Sequence, residues 1–285
     1  MNNIAGIPYV AVRFDKDGSI LNQASVPAGT TDLIVISHGW NNSDADAEKL
    51  YRDLFTNFAA VAPELLTAKK LAIIGVIWPS KQFTDVVNAA VAEQAATGGG
   101  AAFGSGSATA DATIIAKLDL VAPMFGQAGA AKIAEAKAQI AKLESDPAAR
   151  DKFVETLRSL LDPGAANEED NSKLFFKMSG SNMLEKLKMP TPLASTGSRG
   201  GGGAASLGGH SATKPAGGAA GLGDLFSGVK AGAVRFLNYL TYYEMKSRAG
   251  NVGHDGVAPL IDNLASQVQR IHLVGHSFGG RVVTA

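Results

Sequence analysis

The segment Ile271-His272-Leu273-Val274-Gly275-His276-Ser277-Phe278-Gly279-Gly280 decides how the chain is read. Its first four residues are an apolar run suited to a strand, and Arg281, Val282 and Val283 after it can open a helix. Between them stands Gly-x-Ser-x-Gly, at Gly275, Ser277 and Gly279. A serine on a sharp strand-to-helix turn sits in a strained backbone conformation, and glycines two positions either side leave room for strand and helix to approach. The strain exposes the hydroxyl. The five-residue pattern alone carries little weight in a glycine-rich chain; the strand before it, the helix start after it and a third small residue at Gly280 supply the context. A structural glycine turn is the competing reading.

Upstream, Tyr9 to Phe14, Leu33 to Ser37 and Leu71 to Trp78 are short runs rich in apolar and β-branched residues. Such runs suit strands covered on both faces, as in a parallel sheet. Between the second and third, Leu50, Leu54, Phe55 and Phe58 recur at helical spacing after the cap signal Ser43/Asp44, which predicts a helix over 44–61. A strand-helix-strand unit of this kind places its loops at the carboxyl ends of the strands, where α/β sheets bind ligands. The loop after Ser37 is His38-Gly39-Trp40-Asn41-Asn42. Its glycine permits close backbone approach, and N–H groups fixed beside a reacting carbonyl stabilise the negative charge that acyl transfer builds there. An ordinary polar turn is the alternative.

Strand, His-Gly-Trp, helix, strand and the later Gly-His-Ser-Phe-Gly together resemble the α/β-hydrolase family of serine esterases and lipases. The resemblance covers residues 8–80 and 229–285. It implies an α/β fold, a mostly parallel sheet with flanking helices, and Ser277 as the nucleophile of a carboxylic-ester hydrolase that works through an acyl-enzyme. Thioesters, amides and lactones are equally compatible. It further implies an oxyanion hole made by the backbone N–H groups of Trp40 and Phe278, with Gly39 in the oxyanion loop and Gly275, His276, Gly279 and Gly280 framing the elbow. His38 and Trp78 are pocket candidates, a core role for Trp78 being equally compatible. No cofactor and no metal is expected, and the partner is a small ester-type substrate.

The family supplies the remaining catalytic residues in the order serine, acid, histidine. Eight residues follow Ser277, none of them Asp, Glu or His. The five histidines, His38, His210, His254, His272 and His276, all precede the serine. His276 adjoins it on a tight turn, where neighbours seldom face each other, and reads as a packing or pocket residue. The expectation is therefore the N-terminal portion of a longer hydrolase, incomplete after the elbow strand and inactive alone. That strand would have one side unpaired, and the helix after it would be too short to stand by itself.

Composition bounds the alternatives. The 285 residues suffice for one or two domains, and 26 basic side chains balance 26 acidic ones, which removes the broad attraction that nucleic acid would use. Without cysteine there is no disulfide, thiolate metal site or cysteine nucleophile. The N-terminus lacks a basic stretch before an apolar run, and no long uncharged apolar stretch occurs, so a cytoplasmic protein without a transmembrane segment is expected. The chain has 33 glycines, and the excess clusters at 98–106 and 197–223, inside the segment 81–228.

With that segment set aside, what separates His38 from Ser277 still provides a helix, a strand and a helix. Residues 1–80 thus read as the first half of the core, 81–228 as an insertion, and 229–285 as the return to the core. Helices are predicted over 86–95, 112–120, 130–143 and 149–161, the last with Phe153, Leu157, Leu160 and Leu161 on one stripe. An acidic connector over 163–172 and a flexible linker over 190–223 separate them from the rest. The insertion is either a cap over the site or a spacer. Helices over 229–245 and 257–268 follow, with a turn at Asp255/Gly256, and Tyr239, Tyr242 and Tyr243 read as a half-buried helix face. The glycine tracts contain no phosphate-binding signature. Two readings compete with a hydrolase: a non-catalytic binding protein of the same fold, and an interaction protein organised by the alanine-rich helices.

Overall fold

The computed structural model describes residues 2–80, 107–162, 172–188 and 228–285. The helix expected over 86–95 and the linker over 190–223 lie outside the described residues, as does the connector up to Ser172.

Five strands form one sheet: β1 (Asn2–Ile4), β2 (Ile7–Arg13), β3 (Asp32–Ser37), β4 (Leu71–Ile77) and β5 (Arg270–Gly275), in the order β1-β2-β4-β3-β5. β1 and β2 are antiparallel and every other neighbouring pair is parallel. Ala5 and Gly6 join the first two with φ of 51° and 85°, the left-handed pair that matches the twist of a two-residue hairpin. β3 is buried at every position, as its apolar run predicts for a strand covered on both faces. β5 differs. Among the described residues it pairs with β3 alone, and Leu273 and Val274 are 46% and 37% exposed, so the strand preceding Ser277 is an open edge.

One face of the sheet is covered by α1 (Asp44–Val61), which Ser43 and Asp46 open with a reciprocal capping box; α2 (Pro63–Ala68) follows it. The phase of α1 departs from the predicted stripe. Ala47, Tyr51 and Phe55 are buried and Leu54 is exposed, because the Tyr51 hydroxyl is needed inside for two hydrogen bonds described below. These side chains pack on Ile7, Tyr9, Ile34, Ile36, Ile73 and Ile77.

A helical layer covers the other face. It comprises α3 (Ser107–Val121), α4 (Gly126–Lys137), α5 (Pro147–Arg158), α6 (Ser172–Lys177), α7 (Gly180–Leu187) and the long α8 (Val229–Asn251). Ile114, Leu118, Ile133, Phe153, Leu157 and Phe236 share one core cluster with Leu33, Val35, Ile74 and Val76 of the sheet. The described part of segment 81–228 is thus built into the core, and a passive spacer does not describe it. α8 continues through a π-helical turn, Val252–Val257, into α9 (Ala258–Ala265), so the turn expected at Asp255/Gly256 is absent. The glycine there is used for packing: a Cβ on Gly256 would lie 2.5 Å from the Gly18 carbonyl oxygen. After β5, the short α10 (Phe278–Thr284) returns across the sheet with Val282 and Val283 buried.

Candidate active site

Gly275 ends β5, Ser277 occupies the N-cap of α10, and only His276 lies between them. Ser277 has φ 56° and ψ −124°, a conformation that a residue with a Cβ holds only under strain. The surroundings impose it. The His276 N–H donates to the Ser37 carbonyl (3.1 Å), the Gly279 N–H to the His276 carbonyl (2.9 Å) and the Gly280 N–H to the Ser277 carbonyl (2.9 Å). A Cβ on Gly275 would overlap the backbone of Gly280, and one on Gly279 would overlap the Ser37 carbonyl. Gly280 is different: a Cβ there meets open space, so its smallness is not required. The Ser277 side chain is exposed and makes no capping bond to its own helix.

The second element lies against the first. A Cβ on Gly39 would sit 2.9 Å from the His276 carbonyl oxygen and 3.0 Å from the Ser277 Cβ, so only glycine lets this loop run beside the serine. Its peptide orientation is fixed from behind. The Gly39 carbonyl accepts from His38 Nδ1 (2.9 Å) and Asn42 Nδ2 (3.1 Å). That carbonyl and the Trp40 N–H belong to one trans peptide and point in opposite directions, which turns the N–H away from the loop's interior. Among the described residues neither the Trp40 nor the Phe278 amide has an acceptor. The rings of the two residues meet with centroids 6.1 Å apart.

His38 and Trp78, the expected pocket candidates, support the loop from within and do not line a pocket: they are 0% and 2% exposed. The Trp78 N–H donates to His38 Nε2 (3.3 Å), which leaves the His38 proton on Nδ1, where it reaches the Gly39 carbonyl. The indole stacks on the imidazole at 5.6 Å and donates from Nε1 to the His38 carbonyl (3.0 Å). Burial pushes the His38 imidazole down to about 4, so it is neutral at pH 7. With both nitrogens engaged and the ring enclosed, His38 cannot relay a proton from Ser277.

Sequence reasoning missed the residues that hold this assembly. Tyr51 accepts from the His38 N–H (2.7 Å) and donates to the Val76 carbonyl (2.6 Å), tying β4 to the loop at Gly39. Ser80 accepts from the Asn42 N–H (3.1 Å) and donates to the Asn42 carbonyl (3.0 Å). Nothing local in the sequence singles out Tyr51; the adjacent asparagines could have drawn attention to Asn42.

The other histidines lie elsewhere or make other bonds. His276 is exposed beside Gly39. His254 is exposed and bonds its neighbour Asp255 (2.7 Å), while His210 lies outside the described residues. His272 bonds Asp32 (3.0 Å) at the amino ends of β3 and β5, the opposite end from Ser277. Arg270 Nε joins the same carboxyl (2.7 Å), and this contact holds the Asp32 pKa well below the usual carboxylate range.

Among the described residues no imidazole or carboxylate bonds the Ser277 hydroxyl, no group of three His, Asp or Glu is arranged for a metal, and no helix is long and apolar enough to cross a membrane. Two clefts of about 470 and 530 Å³ open elsewhere, and Ser277 lines neither. Comparison with protein-family models, with curated proteins and with solved structures finds no match to this chain.

Proposed function

We propose that the chain carries the nucleophile and oxyanion elements of a serine hydrolase of the α/β-hydrolase type, acting on carboxylic esters. One observation carries the reading: an exposed serine, strained at φ 56°, directly against a glycine loop whose next amide is turned outward. Strain at an exposed nucleophile is retained only where the surroundings enforce it.

In the proposed reaction the Ser277 Oγ attacks the ester carbonyl carbon as a base removes its proton. The carbonyl oxygen takes up negative charge between the Trp40 and Phe278 amides, and collapse of that intermediate expels the alcohol, which receives the proton. Water then attacks the acyl-enzyme by the same route, releasing the acid and restoring the serine. Burial and the fixed tautomer remove His38 as the base. The family places acid and histidine after the serine in the chain, and no described residue fills either place.

A second reading is a binding protein of the same architecture in which the elbow is only a turn, and it fits a Ser277 hydroxyl that no imidazole or carboxylate among the described residues bonds. A tagged fluorophosphonate applied to the product of the intact gene separates the two. The hydrolase reading requires labelling that Ser277→Ala abolishes; a folded protein that stays unlabelled supports the binding reading instead.

A further inference from the structure

Both residues assigned to the oxyanion hole carry aromatic side chains, which pack on the margin of the main core cluster without being enclosed by it. Trp40 and Phe278 are half-buried, as is Tyr242 of α8, whose ring centroid lies 5.2 Å from that of Phe278. The three rings form a chain, Trp40 to Phe278 at 6.1 Å and 43°, Phe278 to Tyr242 at 5.2 Å and 47°. At these tilts the rings touch without closing into a stack, and each of the three residues is partly exposed, Phe278 directly after the exposed Ser277 in the chain. Behind them the chain continues through Tyr243 at 5.2 Å to Phe175 of α6 at 4.5 Å, so the wall is backed by the helical layer.

Its position relative to the serine is fixed. Arg281 of α10 donates from Nε to the Lys246 carbonyl of α8 (3.0 Å), and a Cβ on Gly253 would lie 2.6 Å from the Val282 carbonyl oxygen. α8 is thereby seated on the helix that begins at Ser277. The clefts described above lie elsewhere; Glu244, Ser247 and Arg248 line one of them from another face of α8.

We propose that Trp40, Phe278 and Tyr242 form the surface on which the acyl part of the substrate packs, that Tyr242 determines specificity there, and that the preferred substrates are esters of aromatic acids. The inference rests on the hydrolase reading above. Phe278 follows Ser277 directly, a Cβ on Gly39 would lie 3.0 Å from the Ser277 Cβ, and the Trp40 ring meets that of Phe278, so an acyl group bonded to Ser277 is within reach of both side chains. A flat apolar substituent there gains aromatic contact and leaves water, whereas a methyl group reaches little of the wall. Tyr242 extends the surface beyond the two residues that the reaction itself requires.

The test compares p-nitrophenyl benzoate with p-nitrophenyl acetate on the product of the intact gene, as wild type, Tyr242→Ala and Tyr242→Phe. The wild-type ratio of kcat/KM, benzoate over acetate, should fall about tenfold or more in Tyr242→Ala, chiefly through KM, and persist in Tyr242→Phe, which keeps the ring. Fluorophosphonate labelling of wild type is read in parallel. Labelling with a ratio unchanged in Tyr242→Ala overturns the wall and leaves the hydrolase standing. Absence of labelling from the folded wild type overturns both. If Tyr242→Ala fails to fold, a wild-type enzyme that prefers acetate overturns the wall, and a benzoate preference retained in Tyr242→Phe supports it.

Discussion

Acidification should unlock the loop at Gly39, because its support is a histidine that folding keeps neutral. His38 is fully enclosed, and burial takes its imidazole from the ordinary 6.5 to about 4. Below pH 6.5 the unfolded chain binds a proton there that the folded chain refuses until about pH 4, so stability falls as the pH falls through that window and levels off beneath it. At about 1.4 kcal/mol for each pH unit, the loss is about 3 kcal/mol, a large part of the stability of a typical domain. The Asp32 carboxyl acts in the same sense and lower down. Its folded pKa is depressed by Arg270, so its contribution is present above the ordinary 3.8 and is lost as the pH drops below that. Urea unfolding of wild type and His38→Gln at pH 7, 6, 5 and 4 isolates the effect, since the remaining ionisable groups are common to both. Wild type should lose about 3 kcal/mol more than the variant between pH 7 and 4. Equal slopes would refute the reasoning, as would a nitrogen NMR spectrum showing His38 protonated at pH 6 or carrying its single proton on Nε2.

Two further predictions concern the elbow. Gly279→Ala drives a Cβ into the Ser37 carbonyl and within 2.6 Å of the His38 carbonyl oxygen, so thermal melts should show a loss of about 3 kcal/mol or more, whereas Gly280→Ala meets open space inside a helix and should be neutral or stabilising by about 0.5–1 kcal/mol. Ser277→Gly relieves the positive φ that Ser277→Ala retains, so both should lack the nucleophile while the glycine variant unfolds at a higher temperature, by about 1–2 kcal/mol; equal stabilities would mean that the serine is not strained.

What was legible in the sequence was what contiguous residues encode. β3 and β4 declare themselves as unbroken apolar runs, the start of α1 as Ser43/Asp44, and the strand-to-helix turn at Ser277 and its facing loop as five-residue patterns at strand ends. β1 has three residues and no run of its own; its place depends on a turn that puts a non-glycine, Ala5, at positive φ. The buried stripe of α1 was misread because hydrophobicity ranks Leu54 above Tyr51. The fold instead buries the tyrosine, whose hydroxyl is satisfied at both its donor and acceptor sides. His38 reads as a pocket candidate because it opens the loop at the carboxyl end of β3, yet the structure encloses it completely. Its partners, Trp78 and Tyr51, lie 40 and 13 positions away, and no local pattern reports them. Tyr242 reads from sequence as an ordinary helix face, and its meeting with Phe278 exists only once α8 crosses the elbow.

That crossing bears on why the serine stays strained at all. α10 has seven residues, too few to be stable as an isolated helix, so it cannot by itself hold a residue at φ 56°. Its hold comes from two sides. Toward the sheet, Gly279 is pressed on the Ser37 carbonyl and His276 donates to that same oxygen. Toward the helical layer, Val282 and Val283 are buried with α8, and Arg281 bonds the Lys246 carbonyl. α8 is in turn packed against α3 and α7, which belong to the segment 81–228. α8 and the π-helical turn after it thus supply the apolar contacts that a seven-residue helix lacks, and α3 and α7 back α8 from the other side. Loosening that layer would let Ser277 relax and withdraw Tyr242 from Phe278 in one motion. Strain at Ser277 and the contact of Tyr242 with Phe278 are, on this account, two consequences of one packing interface.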